Sequence, residues 1–363
     1  MAPLFNARRP VGTGLGRGGR TGRTAGRSWR WRPQPVTPIQ VTTRATAFEG
    51  APGPLTLPVR RELVRLELDG VATVVQVVRP EVPGRFPVVV FAHGAGTGNR
   101  TAFDAHAVHL AHDGVVCLVA DKDLAAYTAT KRDYGHMARQ YADLARWGAG
   151  QPWAQPDRVG YYGESEGAWV APWAATLSGA AFVVLVSAPV VTPREQALYA
   201  IETYLASVGA PASVSDAALR FAGAAWPRGY FGYADFDSVR YLSQLSCPVL
   251  VVYGTADISM PVVQGAERVM AEVVGPVAVR YYEGADHGLR VGEAKRVSPV
   301  FLGDLSGWIR SLSMFPVVAG ADPVQPFGVV APPETVTLAT EAYVAAGALL
   351  AVAAAGWGGR VGP

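Results

Sequence analysis

The sequence predicts an α/β fold with a mostly parallel central sheet, helices on both faces and an inserted helical cap. Three observations support this prediction. Short, continuous apolar runs alternate with helix-length segments through the middle of the chain, which is typical of parallel strands buried on both faces. A stretch of alternating apolar and polar residues before them is typical of a hairpin. The interval at about residues 192–245 interrupts the pattern with helix-like segments.

The elements can be followed in chain order. The run "ELVRLELDGVATVVQVVRP" alternates on both sides of Asp69–Gly70 and predicts a β-hairpin. Buried strands and helices then alternate in "FPVVVFAHG", "AFDAHAVHLAHDG", "VVCLVAD", "RDYGHMARQYADLARWG", "RVGYYG", "AWVAPWAATLSG" and "AFVVLVSAP". After the interval, the series is completed by "CPVLVVYG", "VVQGAERVMAEVVG", "VAVRYYEG" and "VFLGDLSGWIRSL". We expect the interval itself to cap the carboxyl edge of the sheet; the alternative is a set of additional packing helices.

The composition is that of an ordinary globular protein. Of 363 residues, 50% are hydrophobic and 17% are charged, which is enough apolar material for one large core or two modest ones. The net charge of +3 is unevenly distributed, because residues 1–48 contain nine arginines and no acidic residue. The remainder of the chain is therefore net acidic, and a nucleic-acid partner is not expected.

The cysteines and histidines give no sign of a metal site. Cys117 and Cys247 lie in or at the start of apolar runs and are interpreted as buried reduced thiols, with a disulfide between strands as the alternative. The sequence contains no CxxC pair, and His106, His109 and His112 recur every third residue of a predicted helix without an HExxH pattern. We interpret these histidines as partly exposed helix residues, and we expect neither a metal nor a cofactor.

The two ends of the chain differ in composition from the predicted main domain at residues 51–318. Residues 1–50 are rich in arginine and glycine without periodicity, which predicts disorder, and Arg8–Arg9 is not followed by the apolar region of a signal peptide. Residues 319–363 form a C-terminal extension whose alanine-rich, apolar segment at residues 336–357 predicts a packed helix; contact with a membrane is the alternative. The expected location is therefore cytoplasmic or membrane-associated.

The stretch "YYGESEGAW" predicts a serine nucleophile. It joins an apolar strand to a helix-like run and places Ser165 between Gly163 and Gly167. In a nucleophile elbow the serine occupies a sharp, strained turn, and glycines flank it because a Cβ atom there would clash with the neighbouring strand and helix. The G-x-S-x-G pattern by itself is only moderately specific, and its position between a strand and a helix is what favours the catalytic interpretation.

A serine nucleophile near neutral pH needs a base that a third group orients. His287 in "YYEGADHGL" follows the last predicted strand of the series, and Asp257 in "VVYGTADISMP" follows the strand before it. Loops at the carboxyl ends of parallel strands meet at one edge of the sheet, so Ser165, Asp257 and His287 are predicted to converge there as a catalytic triad. Asp286 is the alternative acid, although its position next to His287 disfavours contact with Nδ1.

Two backbone amides are predicted to stabilise a developing oxyanion. One is the N–H of Glu166 at the start of the helix, where the helix dipole adds to the effect. The other comes from the loop after "VVVFAHG", with Ala95 as the first choice and Gly96 as the alternative. His93 in the same loop is interpreted as structural. The "GAGTG" run lacks the following Lys-Ser/Thr of a phosphate-binding loop, so nucleotide binding is not expected.

Glu164 and Glu166 on either side of the predicted nucleophile are unusual. A carboxylate close to an anionic intermediate is unfavourable, so both side chains are expected to point away or to be paired. For Glu166, the simplest interpretation is an acidic residue in the first turn of a helix, where the dipole stabilises it. The functional interpretation is an acidic rim that favours substrates with a cationic group.

Residues 60–315 resemble the α/β-hydrolase superfamily, and in particular its esterase and serine-aminopeptidase-like members. In that group the elbow is commonly followed by a "GGW-AP-AA" run and then by "VAFVVLLSGP"; this sequence has "GESEGAWVAPWAATLSGAAFVVLVSAPVVTPREQALY". It departs from the group at Ala168, where a second glycine is common. The resemblance implies the α/β-hydrolase fold and a Ser-His-Asp hydrolase whose triad falls on Ser165, His287 and Asp257, without a cofactor.

Taken together, these features predict a serine hydrolase that cleaves carboxylic esters through an acyl-enzyme, within the EC 3.1.1 class. Its expected partner is a small-molecule ester or amide substrate. An aminopeptidase or an acyl transferase of the same fold is the alternative with the same triad. A non-catalytic, membrane-associated protein that kept only the fold is the alternative from another class. The sequence does not indicate an oligomeric state.

Overall fold

The computed structural model describes residues 35–43, 51–125, 127–128, 130–224, 231–312 and 318–329. Most of the segment predicted to be disordered, residues 1–34 and 44–50, lies outside the described residues, and so does the alanine-rich segment at residues 336–357. Among the helices that are described, none has both the length and the apolar character needed to cross a membrane.

In the described part of the chain, nine strands form one central sheet in the order β1-β2-β4-β3-β5-β6-β7-β8-β11. They are β1 (Val59–Leu68), β2 (Val71–Pro80), β3 (Phe86–Ala92), β4 (Val116–Ala120), β5 (Ala154–Glu164), β6 (Val183–Val186), β7 (Val249–Gly254), β8 (Val277–Tyr282) and β11 (Val318–Gly320). The pairs β1–β2 and β2–β4 are antiparallel, and every other neighbouring pair is parallel. A separate small ribbon pairs β9 (Arg290–Val291) with β10 (Arg296–Val297). The predicted mostly parallel sheet is confirmed.

Helices cover both faces of the sheet. They are α1 (Asp104–His112), α2 (Tyr134–Ala149), α3 (Gly167–Ser178), α4 (Pro193–Ser207), α5 (Ala212–Ala224), α6 (Val239–Leu242), α7 (Val262–Glu272) and α8 (Pro299–Ser311). Alternate residues of the parallel strands face opposite cores: Val88 belongs to the core that includes residues of α2, α3 and α7, whereas its neighbour Val89 belongs to the core that includes residues of α1 and α8. Both valines are fully buried, which explains why the parallel strands are continuous apolar runs.

The predicted hairpin turns at Asp69 and Gly70. Both residues have positive φ, 46° and 78°, as a tight two-residue turn between antiparallel strands requires. In the interval predicted as a cap, α4, α5 and α6 lie between β6 and β7 along the chain. Helix α4 begins with a capping box in which Thr192 and Glu195 satisfy each other's backbone amides. Aromatic rings tie this interval to α3, since Trp173 stacks on Tyr241 with ring centroids 4.5 Å apart.

Two expectations differ from the structure. Part of the segment predicted to be disordered is ordered, because the Thr42 N–H donates to Val318 O at 2.8 Å and the Gly320 N–H donates to Thr43 O at 3.0 Å. The predicted boundaries at residues 50 and 318 therefore separate segments that pair with each other. The prediction that His106 is partly exposed is wrong. Its side chain packs among the rings of α1, α8 and the sheet, and burial lowers its pKa to about 3.

Both cysteines are free thiols. Cys117 is fully buried in β4, and burial raises the pKa of its thiol well above the usual value. Cys247 is partly buried and also has a raised pKa, to about 11. The structure therefore agrees with the interpretation as reduced thiols rather than with the alternative of a disulfide.

Candidate active site

Ser165 occupies a sharp turn between β5 and α3. Strand β5 ends at Glu164 and α3 begins at Gly167, so only two residues make the turn. The φ angle of Ser165 is 55°, in the left-handed region that a residue with a Cβ atom rarely adopts. The Ser165 N–H donates to Val186 O at the end of β6, at 2.9 Å. The serine is thus held in a strained conformation above the carboxyl edge of the sheet, as in a nucleophile elbow.

The glycines on either side of Ser165 are required by close backbone contacts. A Cβ atom on Gly163 would lie 2.5 Å from Gly167 O, and one on Gly167 would lie 2.1 Å from Ala92 O. Both distances are far below a normal contact, and the clashing atoms are backbone atoms that cannot move aside independently. Ala168, where a second glycine is common in the group that the sequence resembles, is buried in the core.

Asp257 and His287 are paired. Asp257 follows β7 and His287 follows β8, and His287 Nδ1 lies 2.8 Å from Asp257 Oδ2. The other carboxylate oxygen of Asp257 accepts from the Ser259 N–H at 2.9 Å and from the Ser259 hydroxyl at 2.7 Å. These bonds fix the carboxylate, which is 5% exposed, so that it faces the imidazole.

The pair shifts the pKa of both groups in the directions that acid–base catalysis requires. Burial alone would raise the pKa of Asp257, but the imidazole of His287 and the bonds from Ser259 outweigh it and lower that pKa. Burial alone would lower the pKa of His287, but the carboxylate of Asp257 outweighs it and raises that pKa. Asp257 thus stabilises the protonated form of the His287 imidazole.

Asp286, the alternative acid, is engaged elsewhere. Its Oδ1 accepts from the N–H groups of Gly288 and Arg290 at 3.1 and 2.9 Å, and its Oδ2 lies 3.5 Å from Lys295 Nζ. These contacts shape the loop that carries His287. They direct the Asp286 carboxylate toward its own backbone rather than toward Nδ1 of the imidazole.

Ser187 links the elbow to the loop of His287. It directly follows Val186, the residue that accepts the hydrogen bond of the Ser165 amide, and its hydroxyl donates to His287 O at 2.8 Å.

Among the described residues, no hydrogen bond joins Ser165 Oγ to His287 Nε2. Catalytic hydrogen bonds are often long before substrate binds, so this geometry is compatible with a triad. The assignment of Ser165, Asp257 and His287 as a triad stays a prediction.

The two predicted oxyanion donors flank Ser165. Glu166 is the residue that precedes the first turn of α3, so its amide points out of the helix N-terminus. The loop after β3 passes very close, since a Cβ atom on Gly94 would lie 3.4 Å from Ser165 Cβ. Ala95 follows Gly94 and is exposed. Within the described part of the chain, neither the Ala95 N–H nor the Glu166 N–H donates to a protein acceptor, so both are free to bind an oxyanion.

His93 supports this loop from below. Its fully buried ring places Nε2 2.7 Å from Ala120 O and Nδ1 3.3 Å from Thr97 Oγ1, and its N–H donates to Tyr141 Oη at 3.0 Å. Burial lowers the pKa of His93 to about 4, so the ring is neutral at physiological pH. This is the structural role that the sequence suggested.

The carboxylate of Glu166 is buried and fully paired. Oε2 accepts from Lys122 Nζ at 2.9 Å and from Tyr127 Oη at 2.6 Å, and Oε1 accepts from Arg132 Nη1 at 2.6 Å and from Tyr134 Oη at 3.1 Å. Burial would raise its pKa, but Lys122 and Arg132 outweigh burial and lower it. The residue is 2% exposed. Glu166 therefore cannot form part of an acidic rim.

The carboxylate of Glu164 is also buried, but in a different environment. It accepts a hydrogen bond from Tyr162 Oη at 3.2 Å, and burial raises its pKa although His287 and Tyr162 act in the opposite direction. The interpretation of Glu164 and Glu166 as an acidic rim is wrong, because both side chains turn inward from the sheet edge.

Sequence reasoning did not identify Lys122, Arg132, Ser187 or Ser259. One signal was available for Lys122, because the chain has only three lysines and this one directly follows an apolar strand in "VVCLVADKD". No comparable signal marks Arg132, which lies among many arginines. Ser187 and Ser259 stand in the loops after β6 and β7, where polar residues at the carboxyl edge of the sheet are candidates for the site.

The chain resembles known proteins in sequence and in structure. A model of the prolyl oligopeptidase family matches residues 101–300, which include Ser165, Asp257 and His287. The solved structure of the Pyrobaculum calidifontis esterase in its monoclinic form has 20% sequence identity and a TM-score of 0.52, with 72% of this chain and 88% of that chain covered. The hyperthermophilic esterase from the archaeon Pyrobaculum calidifontis gives 21% identity and a TM-score of 0.52, with 72% and 85% covered. No curated protein matches the sequence.

The structural likeness establishes the fold. DcsB in complex with its substrate analogue has only 14% identity and a TM-score of 0.51, yet the match covers 69% of this chain and 98% of that one. Likeness at such low identity shows that the α/β-hydrolase arrangement of sheet and helices is shared. The prediction of an α/β-hydrolase fold is confirmed.

Proposed function

Because the chain belongs to the prolyl oligopeptidase family and is a serine hydrolase of the α/β-hydrolase fold, we propose that it cleaves small carboxylic esters through an acyl-enzyme on Ser165. The observation that carries this proposal is the strained φ of Ser165 at the edge where the Asp257–His287 pair also lies. Strain of this kind persists only where the surrounding structure enforces it, and it is concentrated at functional sites. Ser165 is partly exposed at this turn, whereas its neighbours Glu164 and Glu166 are buried.

The proposed reaction runs in two halves. Ser165 Oγ attacks the ester carbonyl carbon while His287 Nε2 accepts the serine proton, and Asp257 holds the imidazole by its Nδ1–H. The tetrahedral intermediate places its negative oxygen between the N–H groups of Ala95 and Glu166. The bond to the leaving oxygen then breaks, and His287 returns the proton to that oxygen, so that an alcohol departs. In the second half, water attacks the acyl-enzyme with the same proton transfers and releases the carboxylic acid.

The electrostatics beside the proposed oxyanion site are compatible with this mechanism. A lone carboxylate on Glu166 would oppose the negative charge of the intermediate. Lys122 and Arg132 both contact that carboxylate, so the cluster of three groups carries one net positive charge. A net positive cluster next to the two amides favours a developing oxyanion.

The buried glutamates favour a neutral ester over an aminopeptidase substrate. Recognition of a free amino terminus needs a carboxylate that faces the substrate, and the glutamates beside Ser165 both point inward. The name of the matching family supports the second candidate function, which is cleavage of amide bonds in short peptides. The chemistry is the same except that His287 would protonate an amine rather than an alkoxide.

A substrate panel separates these possibilities. We expect the unmutated protein to hydrolyse p-nitrophenyl acetate and p-nitrophenyl butyrate, and we expect Ser165→Ala to reduce kcat by about 10⁴-fold or more because the nucleophile is removed. Ser243→Ala, which changes an exposed serine, is the matched control and should retain full activity. Liberation of p-nitroaniline from aminoacyl p-nitroanilides without ester hydrolysis would favour the peptidase function. Equal activity of Ser165→Ala and the unmutated protein would refute the proposal.

A further inference from the structure

Lys122 makes a contact with Gly94 that the proposed mechanism does not use. It lies just after β4, and its side chain is 2% exposed. The ammonium donates to Gly94 O at 3.0 Å and to Glu166 Oε2 at 2.9 Å, and it lies 3.6 Å from the centre of the Tyr127 ring. A lysine buried to this extent costs free energy unless it is fully paired, and here a carbonyl, a carboxylate and an aromatic face surround it.

The contact with Gly94 acts on the peptide unit that contains the Ala95 amide. The carbonyl of Gly94 and the N–H of Ala95 are the two ends of one planar trans peptide, so they point in opposite directions. An ammonium bound to the carbonyl end fixes the rotation of the plane and therefore the direction of the N–H. It also draws electron density toward the carbonyl oxygen, which strengthens the N–H as a donor.

The contact with Glu166 acts on the residue that carries the other donor. The Glu166 side chain is anchored by Lys122 and Arg132, and its N–H is the free amide at the start of α3. One ammonium thus contacts both residues that control the proposed oxyanion donors. It binds the Gly94 carbonyl, which shares a peptide unit with the Ala95 amide, and it binds the side chain of Glu166, whose own amide is the second donor. The closeness of Gly94 to Ser165 places this arrangement directly beside the nucleophile.

Other contacts between the same two segments make the loop rigid. The Lys122 N–H donates to Gly98 O at 2.8 Å, and the carboxylate of Asp121 accepts from the N–H and the guanidinium of Arg100 at 2.8 and 2.7 Å. These bonds hold the ends of the loop after β3. The Gly94 carbonyl, beside Ser165, accepts from the Lys122 ammonium at 3.0 Å and, over a longer distance of 3.5 Å, from the Thr97 N–H.

We propose that Lys122 is a positioning residue that holds the amides of Ala95 and Glu166 in the geometry that stabilises the oxyanion. The proposal rests on the function proposed above. It differs from a purely structural role for the lysine, because it predicts a loss of transition-state stabilisation without a comparable loss of substrate binding.

The test replaces Lys122 by methionine, which keeps most of the side-chain volume and removes the charge and the donors. With p-nitrophenyl butyrate, we expect kcat to fall by about 10- to 100-fold with KM changed by less than about two-fold, since loss of a full oxyanion donor costs about 10²- to 10³-fold. A trifluoromethyl ketone, which forms a tetrahedral adduct with the serine, should bind more weakly by the same factor. Lys131→Met, an exposed lysine nine residues later in the sequence, is the matched control and should leave kcat unchanged.

A second variant distinguishes an effect on the position of the amides from an effect on the net charge of the buried cluster. It also provides a test if Lys122→Met folds poorly. In Lys122→Met combined with Glu166→Gln, the buried carboxylate is replaced by a neutral amide, but the Gly94 carbonyl still lacks the ammonium and keeps only the long bond from the Thr97 N–H at 3.5 Å. The proposal predicts that this double variant stays slow, with the same weak binding of the ketone. Recovery of kcat in the double variant, or an unchanged kcat in folded Lys122→Met, would overturn the proposal and leave the proposed function intact. Absence of ester hydrolysis by the unmutated protein would instead overturn the proposed function, and this inference with it.

Discussion

The two glutamates beside Ser165 are buried in opposite environments. Glu166 receives four hydrogen bonds and contacts two cations, whereas the described hydrogen-bond partner of Glu164 is a single tyrosine hydroxyl. The pKa of Glu166 is lowered, because Lys122 and Arg132 outweigh the effect of burial, and the pKa of Glu164 is raised by burial. Folding therefore favours the ionised form of Glu166 and the protonated form of Glu164, although both carboxylates are buried and only two residues apart.

The difference shows that partners, and not depth, decide how a carboxylate behaves at this site. Glu164 ends β5 on the same face as Tyr162, which belongs to the core with α1 and α8. Glu166 lies beyond the sharp turn, and its side chain reaches Tyr134 in the core with α2 and α3. The elbow thus sends its two acidic neighbours to opposite faces of the sheet, and both leave the surface in front of Ser165.

The largest expected effect concerns the acid that orients His287. Glu164 lies close enough to raise the pKa of His287, but the hydrogen bond to Nδ1 comes from Asp257. We expect Asp257→Asn to lower kcat/KM for p-nitrophenyl butyrate by about 10³- to 10⁴-fold, because the wrong imidazole tautomer is favoured. Asp286→Asn is the matched control, with an expected change below about three-fold. A mild effect of Asp257→Asn would mean that Glu164 takes over its role.

The next effect concerns stability. We expect Glu166→Gln to lower the free energy of unfolding at pH 7 by about 3 to 5 kcal/mol, because Lys122 and Arg132 lose the charge that pairs them in a buried site. Glu164→Gln should change it by less than about 1 kcal/mol, since the amide removes a carboxylate that burial already disfavours. Denaturant unfolding of the two variants measures the difference. Equal losses would show that depth alone governs both residues.

The smallest effect is the dependence of stability on pH, and its sign differs between the two residues. The lowered pKa of Glu166 contributes stability that is present above the unfolded-state pKa of about 4.3 and is lost as pH falls through the folded-state value. The raised pKa of Glu164 contributes stability that is present below about 4.3 and is lost as pH rises through the folded-state value.

Unfolding free energies measured between pH 3 and pH 8 test these signs. The penalty of Glu166→Gln should shrink as the pH falls below about 4.3, because the unfolded unmutated chain then binds a proton that the folded state, with its lowered pKa, does not yet bind. Glu164→Gln should become more favourable, relative to the unmutated protein, as the pH rises above that value. If the change in unfolding free energy had the same pH dependence in both variants, the two carboxylates would not have pKa shifts of opposite sign.

The sequence predicts those parts of the molecule that depend on local pattern. Continuous apolar runs identify the parallel strands, and the spacing around Ser165 identifies the elbow, because both are properties of neighbouring residues. The pairing of Thr43 with β11 and the binding of Glu166 by Lys122 join residues far apart in sequence. No periodicity encodes such contacts. The sequence therefore shows that Glu164 and Glu166 are unusual, but it does not show that Glu166 binds Lys122 and Arg132.

The central claim is that Ser165 is the nucleophile, and covalent labelling tests it most directly. The unmutated protein is incubated with a fluorophosphonate probe, digested, and analysed by mass spectrometry for the modified peptide. We predict one equivalent of label on Ser165, and none on the same peptide of Ser165→Ala, because the strained serine with its paired imidazole is the activated hydroxyl. Failure of the unmutated protein to react, or attachment of the label to another residue, would contradict the account.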